Sequence, residues 1–424
     1  MRASLSKISR VEGGNTPEGK NGNGSFDRFR VFLLALGHFT VDVYANLLPP
    51  LLPIFQAAYN LTYAATAGLT ALFSITSTLI QPAFGYVADK YGKKWIAALG
   101  IAWVAVGMCL LGVAQSYGAI VVVVGLAGLG SAMFHPQASA MVPRVSGTRK
   151  GLGVSLFMAG GNIGYSVMPL IAVLIVSAFG ISSLVWLIPP GVIVALLTYF
   201  YSPRMDVDRR STLDLRALFA SFRDVKRPLT VLVTMVSLRA WVTMGLITFI
   251  PLYFYGHFKG WTAFGWDIDL FATSLTLFLY IIAEALGGIV GGWAADRFGM
   301  KPVIVWTLLA AAPFVYLAFA TPDLLVWPLI VVGGALTYAS VASTTLQAQE
   351  LLPRSQGMAG GLVLGFANGV GGLLVLLNGV ISDHFGLFAG VETLVVMLVA
   401  AGLLATLLPG DALKIGVPGP APGS

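Results

Sequence analysis

His38 and Asp42 stand four residues apart in an apolar stretch, a spacing that puts both side chains on one face of a helix. An imidazole and a carboxylate so placed can share a proton or form an imidazolium–carboxylate pair; the plainer reading is an interior pair with structural work only. Counted from Arg30 at 1.5 Å per residue, His38 lies ~12 Å and Asp42 ~18 Å along such a helix. An ionised group near mid-bilayer costs at least ~2.5–3.5 kcal/mol, so each one is a functional candidate. Arg239, counted from Arg227, reaches a similar ~18 Å. Its guanidinium is always charged and needs a carboxylate, backbone carbonyls or an anionic ligand. Asp42 and an acid group of a bound solute are its two candidate partners, and snorkelling to a wet vestibule is the alternative. On the first option an ionised Asp42 holds Arg239 and a protonated one frees it for solute. Glu284 lies ~22 Å from a boundary near Asp269, deep enough to be a proton site or half of a structural ion pair.

Other polar side chains interrupt the apolar runs. His135, followed by Pro136, falls nearer a helix end and reads as a gate, a solute contact or a solvated terminus. Asn162 and Asn368 are intramembrane amides that could face a cavity. Glu350 sits at a helix end four residues before Arg354, which makes an ion pair at that end the simpler expectation. His257 and His384 fall in connecting segments and are assigned no role.

The elements that carry these residues follow from composition. Charged residues are 10% of the 424, against roughly 25% in a soluble domain, which excludes an ordinary soluble enzyme. The 57% hydrophobic share is what about twelve spans of ~20 residues would use. One cysteine, Cys109, excludes an intrachain disulfide framework and any cysteine-based metal centre, and no metal site is expected. Residues 1–28 are polar and Gly/Asn-rich without an apolar period and read as a disordered tail. No signal-peptide core precedes that tract, so insertion is expected to rely on the first span. Six apolar runs follow within 29–202, a polar linker within 203–227, six more runs within 228–409, and a Pro/Gly-rich tail at 410–424.

Of the 25 Lys and Arg, all but Lys259 and Arg239 fall on one side when the spans are counted alternately. Retention of basic residues makes that side cytoplasmic and predicts both termini there. The net charge of +7 is then a consequence of topology, and a nucleic-acid partner is not expected.

The link after the second run reads Gly85-Tyr86-Val87-Ala88-Asp89-Lys90-Tyr91-Gly92-Lys93-Lys94. The link after the eighth reads Gly292-Trp293-Ala294-Ala295-Asp296-Arg297-Phe298-Gly299-Met300-Lys301. Asp89 and Asp296 are 207 residues apart, and the same offset carries Gly153 onto Gly360 and Gly164 onto Gly371. Two six-helix halves with one ancestor account for this. In each link the first glycine permits close packing, Asp can cap a helix or pair with a base, and the second glycine permits positive φ. Glycines of the fifth and eleventh helices, including Gly160-Gly161 and Gly369 to Gly372, are expected at the sliding interface of the halves.

On these paired links the chain resembles the major facilitator superfamily, with Met300 replacing a basic residue in the second copy. Phe134-His135-Pro136-Gln137, Gly160-Gly161-Asn162-Ile163-Gly164, Ala348-Gln349-Glu350-Leu351-Leu352-Pro353 and the His38-x-x-x-Asp42 pair are similar to strings of the fosmidomycin resistance proteins. The resemblance implies an all-α, twelve-helix, two-bundle transporter in a bacterial inner membrane that exchanges protons for a small drug-like or anionic solute. For proton coupling the expected residues are Asp42 and Glu284 as proton sites with His38 adjusting Asp42; the expected solute contacts are His135, Asn162, Asn368 and, on depth alone, Arg239. No cofactor beyond the coupling proton is expected, and the expected assembly is a monomer in the lipid bilayer. Two departures, Gln137 where an acid commonly follows His-Pro and Val41 where Asn commonly precedes the aspartate, fall on the polar pathway. Proton-coupled uptake is the alternative within transport. No His-Glu-x-x-His, Gly-x-Ser-x-Gly or nucleotide-binding Gly-x-x-x-x-Gly-Lys motif nominates an enzyme or an ATP-driven pump.

Overall fold

The computed structural model describes residues 25–91, 95–203, 225–263, 266–321, 323–352 and 359–410. Among them are twelve helices long and apolar enough to cross a membrane, as the composition predicts. They are α1 Arg28–Tyr59, α2 Tyr63–Gly85, α3 Trp95–Val113, α4 Tyr117–Val145, α5 Lys150–Phe179 and α6 Ile181–Tyr201. The second set is α7 Lys226–His257, α8 Asp269–Phe298, α9 Met300–Ala320, α10 Val326–Leu351, α11 Gly361–Phe385 and α12 Leu387–Ala405. The only sheet among the described residues is a two-residue antiparallel ladder, β1 Thr262–Ala263 and β2 Trp266–Asp267, in the loop between α7 and α8.

Local chemistry sets several of the helix starts. The Asp27 carboxylate accepts the Arg30 N–H at 3.0 Å to begin α1, and Thr62 and Ser116 cap α2 and α4 by accepting the N–H groups of Ala65 and Ala119. Beyond them the helices are apolar on every side, as burial between neighbours and lipid requires. Trp306, Ile289, Phe200 and Phe385 each expose well over half of their surface. A soluble protein would not leave so many large apolar groups uncovered, whereas a bilayer covers them.

The helix contacts repeat. In the first half α1 lies on α5, and α3 on α4 and α6; in the second, α7 lies on α11, and α9 on α10 and α12. The offset read from sequence has a structural meaning. A Cβ at Gly164 on α5 would stand 2.3 Å from the Phe39 carbonyl oxygen of α1, and one at Gly371 on α11 would stand 2.6 Å from the Ala240 Cβ of α7. The same close approach is thus built twice, once in each half. Helix α5 does lie against α8 of the other half, as expected of an interface helix, but its Gly160, Gly161 and Gly164 face α1 within their own half. The glycines that do cross are on α11, where Gly369, Gly372 and Gly379 meet Leu79, Ser74 and Ala64 of α2. Each of these two helices carries a π-helical turn, Ile75–Leu79 and Gly361–Phe366, and the two turns touch. A pair not read from sequence, Gly287 and Gly291 of α8, lies directly against the backbone of Ala335 and Ala339 of α10, the small-xxx-small contact of membrane helices.

The repeated links have different visibility. Gly85 is in ordinary contact with Pro136; Asp89 and Lys90 belong to the helical turn Gln81–Tyr91 without a described side chain, and Gly92 and Lys93 lie outside the described residues. In the second copy Gly299 has φ +89°, the left-handed conformation its type permits. Gly292 contacts Ala342, Asp296 is exposed without an ion pair among the described residues, and Lys301 is half-buried at the start of α9. Arg297 stacks over Trp293 and Phe298 at 5.9 and 5.6 Å.

Candidate functional site

Residues 38 and 42 meet as their spacing predicts: His38 Nε2 lies 3.3 Å from Asp42 Oδ2. What the spacing does not contain is the third member. α4 brings His135 Nε2 to 3.3 Å from Asp42 Oδ1, so one carboxylate sits between two imidazoles. The His38 ring stacks on Phe157 at 4.1 Å and stands edge-on to His135 at 5.1 Å. Each imidazole also has a backbone carbonyl at Nδ1: Phe157 O at 2.8 Å for His38 and Ser131 O at 2.9 Å for His135. Gly161 forms the floor, because a Cβ there would stand 2.5 Å from His38 Nε2 and 2.7 Å from Asp42 Oδ2. His38 is buried, whereas the side chains of Asp42 and His135 keep 18% and 26% of their surface. This trio is the one His/Cys/Asp/Glu group among the described residues with metal-ligand spacing, which the sequence did not lead us to expect.

The second half holds a different centre. Arg239 on α7 is 2% exposed, donates from Nη2 to Asn368 Oδ1 at 3.5 Å, and lies 5.6 Å from the Tyr338 ring centroid. Its Nε has no hydrogen-bond partner among the described residues. Asp42 is not its partner here, which corrects that option: the carboxylate is already enclosed by two histidines. The groups that act on the guanidinium electrostatically are Tyr338, Glu284 and Tyr280. Glu284 on α8 is buried and accepts the Tyr280 hydroxyl at 2.8 Å.

Helix pairing relates the two centres. Gly161 plus the 207-residue offset is Asn368, so the position that touches His38 and Asp42 in one half touches Arg239 in the other. Along α1 and α7, Phe39 lies under Gly164 and Ala240 under Gly371, an offset of 201 that carries His38 onto Arg239. Two tyrosines lie within electrostatic reach of both centres. Tyr165 of α5 is within electrostatic reach of Asp42, Glu284 and Tyr338, and Tyr338 of α10 is within reach of Glu284, Arg239 and Asp42. Sequence reading missed Tyr165, Tyr280 and Tyr338; a tyrosine is tolerated in any apolar helix, so its type alone carries no signal.

Not every expected residue joins. Asn162 is exposed on α5 and makes no hydrogen bond among the described residues. Glu350 is exposed at the end of α10, and its expected partner Arg354 lies outside the described residues.

One further contact was not foreseen. The Asp383 carboxylate, at the end of α11, accepts the N–H groups of Tyr63 at 2.7 Å and Ala64 at 3.0 Å, the free amides at the start of α2. The bond joins the two halves at the end opposite the start of α1 and the end of α12 and holds them together there. Loss of such a cap costs ~0.5–2 kcal/mol, so Asp383→Ala is expected to raise opening at this face ~2- to 30-fold. The measurement is maleimide labelling of a cysteine placed at Ala64 in a Cys109→Ser chain; unchanged labelling would show that Asp383 does not latch the halves.

A family model described as Major Facilitator Superfamily matches residues 34–268. Over 390 residues the chain is 31% identical to the Fosmidomycin resistance protein of Escherichia coli (strain K12), covering 90% of this chain and 93% of that protein. It is 28% identical to the MFS-type transporter YfnC of Bacillus subtilis (strain 168), covering 90% and 93%. Among solved structures, a bacterial homolog of the human lysosomal transporter Spinster, inward-facing and occupied, superposes with a TM-score of 0.76 at 18% identity, covering 90% of this chain and 97% of that one. That likeness is one of fold.

Proposed function

We propose, from the premise that this chain belongs to the Major Facilitator Superfamily, that it exchanges protons for a small drug-like or anionic solute and exports it by alternating access. The chain is a multi-pass membrane transporter and not an enzyme; direction, coupling ion and cargo are the proposal. The observation that carries it is the pairing of two unlike polar centres on equivalent helices of the two halves. One offers a carboxylate between imidazoles, the other a buried guanidinium with an unused N–H. A solute with an acid group and a hydrogen-bond donor can bridge them, the acid on Arg239 and the donor on Asp42. Protons arriving at Asp42 and its histidines remove the acceptor and release the solute, which makes proton and cargo mutually exclusive, as exchange requires. Glu284, beside Arg239, is the second proton site. The E. coli relative's name supports a drug as cargo. The setting proposed is a bacterial inner membrane with both termini cytoplasmic.

Proximity of Glu284 to Arg239 favours one other reading. If protonation of Glu284 only frees the guanidinium, proton and anion bind together, and the same architecture performs uptake. The sign of coupling separates the two. In inverted vesicles carrying the protein, an inside-acid pH gradient is expected to drive solute inward against the proton flow, with fosmidomycin among the solutes tried. Cells overproducing the chain are expected to resist the solute that moves. Cotransport with protons, and no resistance to any compound, would replace export by uptake.

A further inference from the structure

We propose that His38, Asp42 and His135 form a binding site for a divalent transition-metal ion of the zinc class. On the far side of each imidazole a backbone carbonyl faces Nδ1. Phe157 O and Ser131 O can only accept, so the Nδ1 atoms facing them at 2.8 and 2.9 Å carry the hydrogens. A neutral ring with its hydrogen on Nδ1 has a bare lone pair on Nε2. Both bare atoms point at Asp42, each 3.3 Å from a carboxylate oxygen. Acceptor then faces acceptor on both sides, and something positive must lie between them. An added proton on each ring is one answer and a shared metal ion is the other.

The dimensions favour the metal. Ligands ~2.0–2.1 Å from a tetrahedral centre stand ~3.3 Å from one another, the separation of each Nε2 from its own oxygen of Asp42, so a shared ion would be held by both carboxylate oxygens. All of the donor atoms lie within 4.8 Å of each other. A ligating histidine ordinarily donates its other N–H to a carbonyl, fixing tautomer and ring direction, and both rings do this here. Two imidazoles and one carboxylate suit Zn²⁺, Co²⁺ or Ni²⁺ better than the all-oxygen preference of Ca²⁺ or Mg²⁺. The donors come from α1 and α4, with the ring of Phe157 behind His38 and Gly161 admitting no Cβ beside it. The exposed edges of His135 and Asp42 leave a position for water or another ligand. The inference is independent of cargo and direction; under the proposed function, an occupied site withholds Asp42 from proton and solute alike.

The test is metal binding to the purified full chain in detergent. Co²⁺ is expected to give the visible d–d bands of a four- or five-coordinate nitrogen/oxygen site at one ion per chain, displaced by Zn²⁺. Zn²⁺, unlike Mg²⁺, is expected to raise the Tm of the parent chain, since a ligand of the folded form stabilises it. His135→Gln and Asp42→Asn should each weaken Co²⁺ binding at least tenfold, while Glu350→Gln, exposed at the end of α10 and outside the trio, should bind as the parent does. Absence of both the bands and a Zn²⁺-specific Tm shift would leave protons as the only cations of the site and overturn the proposal. So would undiminished binding in both trio variants. Because neither readout involves transport, a failure here is separate from a failure of the exporter reading.

Discussion

Asp42→Asn is expected to abolish pH-gradient-driven movement of solute in reconstituted vesicles while leaving a folded protein. The substitution keeps the shape of the side chain, and its amide can donate to a bare Nε2 of His38 or His135, so the packing beneath Gly161 is retained. What disappears is the negative charge and the titratable oxygen. Asp42 keeps 18% of its side-chain surface, so the fold tolerates the change, whereas loss of a group that transfers a proton in the transport step should slow that step ~100-fold or more. Exchange of labelled for unlabelled solute without a pH gradient should survive better than gradient-driven flux, because the amide oxygen still accepts a hydrogen bond. Gradient-driven flux equal to that of the parent would exclude Asp42 as a coupling group.

Arg239→Gln is expected to weaken binding of an anionic solute by about 30-fold to a few thousand-fold, the range that corresponds to ~2–5 kcal/mol for losing one partner of a buried charge contact. Arg239 is nearly inaccessible, and its Nε has no partner among the described residues, so an acid group supplied by solute would complete a donor set the protein leaves incomplete. Asn368→Asp makes the argument specific. It places a carboxylate where the Asn368 oxygen accepts from Arg239 at 3.5 Å, and should depress binding of anionic solutes while sparing neutral ones. Equilibrium binding of an anionic and an uncharged solute to the detergent-purified variants decides the matter. Equal loss of both in Asn368→Asp would mean that Arg239 serves packing and not recognition.

These predictions draw unequally on sequence and structure. His38 with Asp42, Arg239 and Glu284 were all legible as candidates, since an ionisable residue inside an apolar run declares itself by its cost. Which of them meet was not. His135 read as a shallower residue near a helix end, yet α4 carries its ring to the same carboxylate as His38. Arg239 read as a possible partner of Asp42, and lies instead with Asn368 and Tyr338 in its own half. Asp383 carried no signal at all, because a helix-end aspartate is ordinary until the free amides of Tyr63 and Ala64 are seen in front of it.

The sequence alone determined the twelve spans and the family resemblance, and it singled out the rare charges within those spans. Transfer of side chains into hydrocarbon is nearly additive along a helix, so a local count suffices for the spans. Internal similarity likewise survives as matched glycines and aspartates at a fixed offset. The tertiary structure decided the meeting of His135 with Asp42, the company of Arg239 and the bond between the halves at Asp383. Each depends on how closely two helices distant in sequence approach, and that distance is set where a glycine such as Gly161 or Gly379 leaves no Cβ to keep them apart.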